Sequence, residues 1–241
     1  MRFRGRILKG VFLERLNRFL GRVEVSGREA LCYIPNPGRM VELLGPGVEV
    51  YLREEHGPGR KTGYDLLLVR RGVLVSIDSR APNRLVEEAI QADLLPEFQG
   101  YDIVRAEYTY GKSRVDFLLS QGERRMLLEV KSCTLVEDGR ALFPDAPTLR
   151  GRRHLHTLIS ALEQGLEASI LFVVQRPDAE RSSPNDETDP EFGAALREAA
   201  SKGVGIYAYK CQVTLDGMWF LGQVPVILRE GMSRDFCNHE G

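Results

Sequence analysis

Residues 114–132 read RVDFLLSQGERRMLLEVKS, two apolar runs separated by a short polar segment. The composition of each run favours a β-strand, and the glycine-containing connection between them is typical of a hairpin. If the two strands pair symmetrically, with Leu119 opposite Met126, then Asp116 lies directly opposite Glu129. Side chains that face each other across such a pair have Cβ atoms about 5 Å apart. The sequence therefore predicts two neighbouring carboxylates on one face of a hairpin.

Opposed carboxylates repel each other unless a cation lies between them or one of them is protonated. A hard divalent ion with oxygen ligands, Mg²⁺ or Mn²⁺, would remove this repulsion and bind a phosphate oxygen. Lys131 follows Glu129 by two residues, so its ammonium projects from the same face and could offset charge that develops on phosphorus. This combination of groups is typical of phosphodiester hydrolysis.

The competing interpretation is a solvated hairpin in which Glu129 and Lys131 form an incidental ion pair. The spacing of one Asp, one Glu and one Lys does not separate the two interpretations. The residues around Glu129 are apolar, which favours the metal site, because a charge inside a buried strand requires a partner.

The first 80 residues contain β-like runs separated by Gly and Pro turns. The five runs cover residues 7–20, 23–34, 48–52, 64–69 and 73–77. Five short strands with little helix between them predict a small closed barrel of the OB type. A generic small β domain is the alternative.

After residue 81 the pattern changes to helices and strands, so we predict an N-terminal domain over residues 1–81 and a second domain over residues 82–241. Asn83 is predicted to cap a first helix that runs to about Leu95. Strands are predicted at 104–110, 114–119, 126–135, 168–174 and 205–210, helices at 148–164 and 190–202, and a hairpin at 213–221. The polar stretch 175–189 is interpreted as a surface loop. The order of elements predicts an α+β chain whose second domain is a mixed sheet flanked by helices.

Composition excludes several protein classes. With 241 residues, 43% hydrophobic and 28% charged, the chain is neither disordered nor fibrous. Its longest uninterrupted apolar stretch is a single strand at 170–174, so we expect no membrane segment and a cytoplasmic location. The four Cys residues form no CxxC pair, and only His154 and His156 lie near each other in the sequence, which argues against a zinc site.

The net charge of −1 hides an uneven distribution. Residues 1–80 carry 15 Lys and Arg against 9 Asp and Glu, whereas residues 81–241 carry 18 against 25. This asymmetry indicates one lobe that attracts polyanions. Arg makes up 27 of the 33 basic residues, which suits phosphate recognition, although a general bias toward Arg explains the count equally well.

Five further segments act together as a family signature. They are NRLVEEAI (83–90), YGKSRVDFLL (110–119), LLEVKSCTL (127–135), LFPDAPTLRGRRHL (142–155) and GVGIYAYK (203–210). In this combination the chain resembles the sugar fermentation stimulation protein A family, and the resemblance extends to IPNPGRM at 34–40. It implies a DNA-binding protein linked to sugar metabolism, notably that of maltose. It also implies an OB-like domain followed by a domain of the PD-(D/E)xK nuclease fold.

The same resemblance implies roles for individual residues. Asp116 and Glu129 correspond to metal ligands, Lys131 to the catalytic-type lysine, and Glu88 to a helix-borne acid that completes many such sites, with Glu87 as the neighbouring candidate. The family loop is expected to read Asn-Thr-Gly, and this chain has Pro37 in its middle, which removes any hydroxyl contact there. The family describes a regulatory effect, so an inactive DNA-binding regulatory or architectural factor is the alternative to a metal-dependent nuclease.

Nucleic-acid contacts are predicted mainly at the start of the second helix. Arg150, Arg152, Arg153 and His154 crowd its first turns, where free backbone N–H groups also favour anions. In the first lobe, Arg39 is a further predicted DNA contact. Tyr33 and Tyr51 could stack on bases, although packing inside the barrel is the favoured interpretation. We expect largely non-specific binding to DNA that weakens with salt; RNA is the alternative ligand, and a homodimer is left open.

Overall fold

The computed structural model describes residues 1–57 and 59–228, and the N-terminal third of the chain forms a β-barrel. The strands are β1 (Ile7–Asn17), β2 (Leu20–Val25), β3 (Arg28–Tyr33), β4 (Glu49–Glu54), β5 (Tyr64–Arg71) and β6 (Val73–Ser76). They follow the order β3-β2-β1-β4-β5-β6, and a short parallel pairing of β3 with β5 closes five of them into a barrel. The predicted OB-type barrel is confirmed.

One predicted strand of the barrel was wrong. The run 23–34 is two strands, β2 and β3, which pair with each other as a hairpin. Ser26 and Gly27 both have left-handed backbone conformations, with φ of 53° and 74°, and this two-residue turn reverses the chain.

The part of the chain that follows the barrel is a mixed sheet flanked by helices, as predicted. Its helices are α1 (Ala81–Gln91), α2 (Leu149–Glu163) and α3 (Pro190–Ser201). Its strands are β7 (Asp102–Tyr110), β8 (Ser113–Gln121), β9 (Arg124–Cys133), β10 (Val136–Glu137), β11 (Arg140–Phe143), β12 (Glu167–Val174), β13 (Arg181–Pro184), β14 (Gly205–Val213) and β15 (Met218–Gln223). The main sheet has the order β15-β14-β12-β9-β8-β7, with β9, β12 and β14 parallel, and β10, β11 and β13 form a small separate sheet.

The helix α1 begins earlier than predicted. Asn83 does not cap it; the helix starts at Ala81, with Arg80 at the N-cap position. Pro82 explains the difference, because a proline lacks the backbone N–H that the first turn leaves unpaired and its φ already suits a helix. Asn83 is thereby placed inside the first turn, where its side chain is free for another contact.

The polar stretch 175–189 was wrongly predicted as a surface loop. It contains β13, which pairs in parallel with β11, and it begins with Gln175, which has no exposed surface. Asp189 at its end is also buried and caps α3 by accepting a hydrogen bond from the N–H of Phe192. These side chains are polar because each satisfies a buried partner, which composition alone does not reveal.

The barrel and the mixed-sheet part of the chain pack closely against each other. One apolar cluster includes Leu67 and Leu68 of the barrel together with Val86 of α1 and Phe117 of β8. No helix within the described part of the chain is both long enough and apolar enough to cross a membrane.

Candidate metal centre

The centre is built on the β8–β9 hairpin, whose register agrees with the prediction. Leu119 lies opposite Met126, and the backbone pairing ends with Phe117 opposite Leu128. If the same register is continued by one residue, Asp116 on β8 faces Glu129 on β9.

Glu129 is a buried carboxylate with one satisfied oxygen and one unsatisfied oxygen. The residue is only 2% exposed, so the solvated hairpin that the sequence left open does not describe it. Its Oε1 atom contacts both the ammonium of Lys131 and the Nδ1 atom of His154. Its Oε2 atom is buried and has no hydrogen-bond partner among the described residues. A carboxylate oxygen in that state is costly unless an external group binds it.

Asp116 is held by two donors. Its Oδ1 atom accepts a hydrogen bond of 2.7 Å from the side-chain amide of Asn83, and its Oδ2 atom accepts one of 2.7 Å from the backbone N–H of Val130. The hydrogen bond from Val130 to the Asp116 carboxylate thus links β8 and β9 just beyond the last backbone pair. This orientation fixes the carboxylate beside β9, the strand that carries Glu129.

The two carboxylates differ in their electrostatics. Burial and the neighbouring charge of Glu129 raise the pKa of Asp116 above its ordinary value. Burial acts in the same direction on Glu129, but Lys131 and His154 outweigh it and hold the pKa of Glu129 below its ordinary value. Such a divergence is expected of two acids that share one site.

His154 joins the centre from α2. Thr148 caps this helix by accepting a hydrogen bond from the N–H of Gly151, and His154 lies one turn further along on the buried face. The Nε atom of Arg150 donates to the Nε2 atom of His154 across 3.4 Å. With Nε2 accepting, Nδ1 carries the ring proton and donates it to Glu129.

Sequence reasoning assigned His154 to a phosphate-binding surface, whereas the structure buries it, with 4% of its surface exposed. The spacing of residues in the sequence indicates this burial. His154 precedes Leu158 by four residues, so both lie on the apolar face of the helix.

The predicted helix-borne acid occupies a different place. The carboxylate of Glu88 lies 3.0 Å from the amino group of Met1, and its side chain is half exposed. Glu87 follows Asn83 by four residues, and so shares the helix face from which Asn83 reaches Asp116. Of the two acids that the sequence left open, Glu87 is therefore on the face directed at the centre.

The arginines that were predicted to contact DNA differ in their exposure and in their ion pairing. Arg152 is half-buried and ion-paired with Glu191 of α3. Arg39, Arg150 and Arg153 are exposed. Within residues 1–57 and 59–228, neither Arg39 nor Arg153 has an ion-pair partner for its guanidinium.

The centre fits a hard divalent cation. Two carboxylates are a common protein contribution to a Mg²⁺ site, where water and substrate phosphates complete the coordination. The unsatisfied Oε2 atom of Glu129 is an oxygen ligand of the required kind, and Asp116 keeps further lone pairs beyond its two hydrogen bonds. Over the described residues, no ready-made cluster of three or more His, Cys, Asp or Glu side chains exists for a metal ion.

Comparison with known proteins gives consistent matches over both halves of the chain. Residues 13–77 match the SfsA N-terminal OB domain, and residues 80–217 match the sugar fermentation stimulation protein RE domain. The sugar fermentation stimulation protein homolog of Caldanaerobacter subterraneus subsp. tengcongensis is 45% identical over 223 residues, which is 92% of this chain and 97% of that protein. The homolog of Clostridium perfringens strain 13 is 43% identical over 230 residues, 95% of this chain and 100% of that protein.

A solved structure also matches along almost the whole chain. The structure of Pyrococcus furiosus SfsA in complex with Ca²⁺ superposes with a TM-score of 0.87 at 33% sequence identity. The match covers 94% of this chain and 99% of that one.

Proposed function

The chain belongs to the sugar fermentation stimulation protein family, and from this premise we propose that it binds DNA and hydrolyses phosphodiester bonds with a divalent cation, Mg²⁺ or Mn²⁺, held by Asp116 and Glu129. The observation that carries the proposal is the buried Oε2 atom of Glu129, which has no partner among the described residues although Asp116 lies beside it. A cation would satisfy that oxygen and remove the repulsion between the two acids.

A bound divalent cation would supply Lewis acidity toward a phosphate oxygen and lower the pKa of water. The chain's own residues prepare the site for it. Asn83 and the N–H of Val130 orient Asp116, while His154 and Lys131 hold Oε1 of Glu129 and leave Oε2 free. The side chain of Lys131 is 12% exposed, and its ammonium would offset negative charge that develops on a phosphate.

A relative supports the cation part of the proposal. The Pyrococcus furiosus protein, similar over 94% of this chain, was solved in complex with Ca²⁺. Ca²⁺ and Mg²⁺ both prefer carboxylate oxygens, and they differ in coordination number and ligand flexibility.

The DNA part of the proposal depends on exposed positive charge near the centre. Arg150 and Arg153 lie at the start of α2, the helix that carries His154 into the centre, and both are exposed. Arg39, in the first lobe, adds a further exposed guanidinium, which has no ion-pair partner among the residues that the structure describes. Exposed guanidinium groups at the start of a helix suit phosphate oxygens, so we expect contacts to phosphates and binding that is independent of sequence and weakened by salt.

The test is a nicking assay on supercoiled plasmid with Mg²⁺ or Mn²⁺, comparing the parent protein with Glu129→Ala. Glu123→Ala is the matched control, because Glu123 is an exposed acid in the turn of the same hairpin. The proposal expects cation-dependent nicking in the parent and the control, and at least a hundredfold loss in Glu129→Ala. Nicking that survives Glu129→Ala would contradict it.

A second function, DNA binding without turnover, is favoured by one specific observation. Both oxygens of Asp116 already accept hydrogen bonds, so the site is held together by the protein itself. A regulatory factor of this kind would bind DNA in filter-binding assays and show no nicking with either cation.

A further inference from the structure

The barrel carries an open groove that is lined by no residue of the β8–β9 hairpin. It has a volume of about 390 Å³ and lies between the β1–β2 turn, the end of β3 and the segment that precedes β5. Its lining residues are Asn17, Phe19, Leu20, Tyr33, Arg60, Lys61 and Thr62.

An aromatic pair forms one wall of this groove. The rings of Phe19 and Tyr33 are stacked, with centroids 6.2 Å apart and an angle of 24° between their planes. Phe19 is nevertheless 41% exposed. Its backbone is fixed on both sides, since its N–H donates to the side chain of Asn17 and its carbonyl accepts from the N–H of Ile34. A large apolar ring is therefore held in a defined place with one side open to solvent.

Positive groups surround the aromatic pair. The guanidinium of Arg80 lies 5.9 Å from the centroid of the Tyr33 ring. Arg60 and Arg80 both meet the buried carboxylate of Asp65, with Arg53 as a third cation on the same acid. Arg53 also pairs with Glu55, and Arg80 also pairs with Asp78, so carboxylates balance the charge of this cluster. The positive charge of the groove itself comes from its lining residues, which include two cations, Arg60 and Lys61, and no acid.

Lys61 supplies a further charge at the rim. Its side chain is exposed and has no ion-pair partner within the described part of the chain. The groove thus offers a flat apolar face, an ammonium that has no ion-pair partner among the described residues, and a second cation, Arg60, in its lining. A ligand that matches all three has a planar, weakly polar ring joined to an anion, which is the chemistry of a nucleotide.

We propose that this groove binds an unpaired nucleotide of single-stranded DNA, with the base stacked on Phe19 and the phosphate at Lys61. The proposal rests on the proposed function, because it specifies the form of DNA that the protein prefers. In a duplex the bases are stacked on each other and their faces are covered, so duplex DNA would reach only the cations.

The helix α1 connects the groove with the metal centre. Arg80, at its N-cap, contacts Tyr33, and Asn83, three residues later, holds Asp116. Three residues correspond to about 4.5 Å along a helix axis. The same end of one helix therefore contacts the Tyr33 wall of the groove and Asp116 of the metal centre.

The test is fluorescence anisotropy with a labelled oligo(dT) and a labelled hairpin duplex of equal charge, without divalent cations. Phe19→Ala is compared with the parent protein and with Leu16→Ala, a matched control because Leu16 has the same 41% exposure on β1 and lies outside the groove. Unlabelled oligo(rU) and free dTMP serve as competitors. We expect Phe19→Ala to weaken oligo(dT) binding about fivefold to a hundredfold and to leave duplex binding and the control unchanged within about twofold.

Several outcomes would overturn the groove proposal alone. These are equal losses for oligo(dT) and duplex in Phe19→Ala, no loss for either, tighter binding of oligo(rU) than of oligo(dT), or full displacement by dTMP at a concentration equal to that of the oligonucleotide. A parent protein that binds neither oligo(dT) nor duplex at low salt would instead refute the proposed function itself. Glu129→Ala separates the two proposals further, since it is expected to abolish nicking and to leave the effect of Phe19→Ala on oligo(dT) binding unchanged.

Discussion

The Nδ1 atom of His154 lies against the Oε1 atom of Glu129, and the other oxygen of that carboxylate, Oε2, is buried without a partner among the described residues. Because Lys131 contacts the same Oε1 atom, the two donors fix which oxygen is occupied and which is free. His154 is thus a positioning residue for the candidate cation ligand.

Replacing His154 should weaken cation binding, and the loss should be smaller when the new side chain can still donate a hydrogen bond to Glu129. We expect His154→Ala to lower Mn²⁺ affinity about tenfold to a hundredfold, the usual cost of losing a group that orients a ligand. His154→Gln retains an amide that can donate to Glu129 and should recover much of this loss. Isothermal titration calorimetry with Mn²⁺ measures both, and equal affinities for the two variants would contradict the positioning role.

Asn83 should matter for the cation through Asp116 alone. Asn83→Ala removes the 2.7 Å hydrogen bond to Oδ1, so Asp116 keeps only the backbone N–H of Val130. The expected result is a Mn²⁺ affinity about tenfold lower. Gln91→Ala is the control, because Gln91 is an exposed residue at the other end of α1. If both variants bind Mn²⁺ like the parent, Asn83 does not orient a ligand.

Gln175 should stabilise the contact between the barrel and the mixed sheet. Its side chain accepts a hydrogen bond from Ser76 of the barrel at 3.2 Å and donates one to Ser132 of β9 at 2.8 Å. Gln175→Ala leaves the fully buried hydroxyl of Ser76 without this partner, at a cost of about 1–3 kcal/mol in the free energy of unfolding. Urea denaturation measures this cost. Gln212→Ala, at an exposed position, should change the same free energy by less than about 0.5 kcal/mol.

The ion-pair cluster around Glu49 should make barrel stability depend on pH. Hydrogen bonds from Lys9, Tyr51 and Arg70 lower the pKa of Glu49 from 4.5 to about 2. Folding therefore favours the charged carboxylate, and its stabilising effect is fully present above pH 4.5 and is lost as the pH falls through about 2. We expect the parent protein to melt above Glu49→Gln at pH 6, with the difference in Tm closing between pH 4.5 and 2. A difference that stays constant across this range would mean that another group is responsible.

Features that depend on local sequence could be predicted well. The hairpin register followed from pairing two apolar runs symmetrically about their short connection, and Leu119 indeed lies opposite Met126. The helices α2 and α3 were predicted nearly to the residue, because Thr148 is a capping residue and Gly165 and Gly203 follow their last turns.

Features that depend on long-range contacts could not be predicted. The contact of His154 with Glu129 joins residues 25 positions apart, and that of Ser76 with Gln175 joins residues 99 positions apart. Polar side chains such as Gln175 resemble surface residues in a sequence, since only the fold shows which buried group each one satisfies. The ion pair of Glu88 with the amino group of Met1 could not be predicted for the same reason.

The central claim, a divalent cation held by Asp116 and Glu129, is tested most directly by anomalous diffraction from crystals grown with Mn²⁺. We expect a manganese peak within about 2.5 Å of the Oε2 atom of Glu129 and of a carboxylate oxygen of Asp116, and no peak there in Glu129→Ala. Manganese bound elsewhere, or crystals whose hairpin carboxylates stay metal-free in saturating Mn²⁺, would contradict the claim.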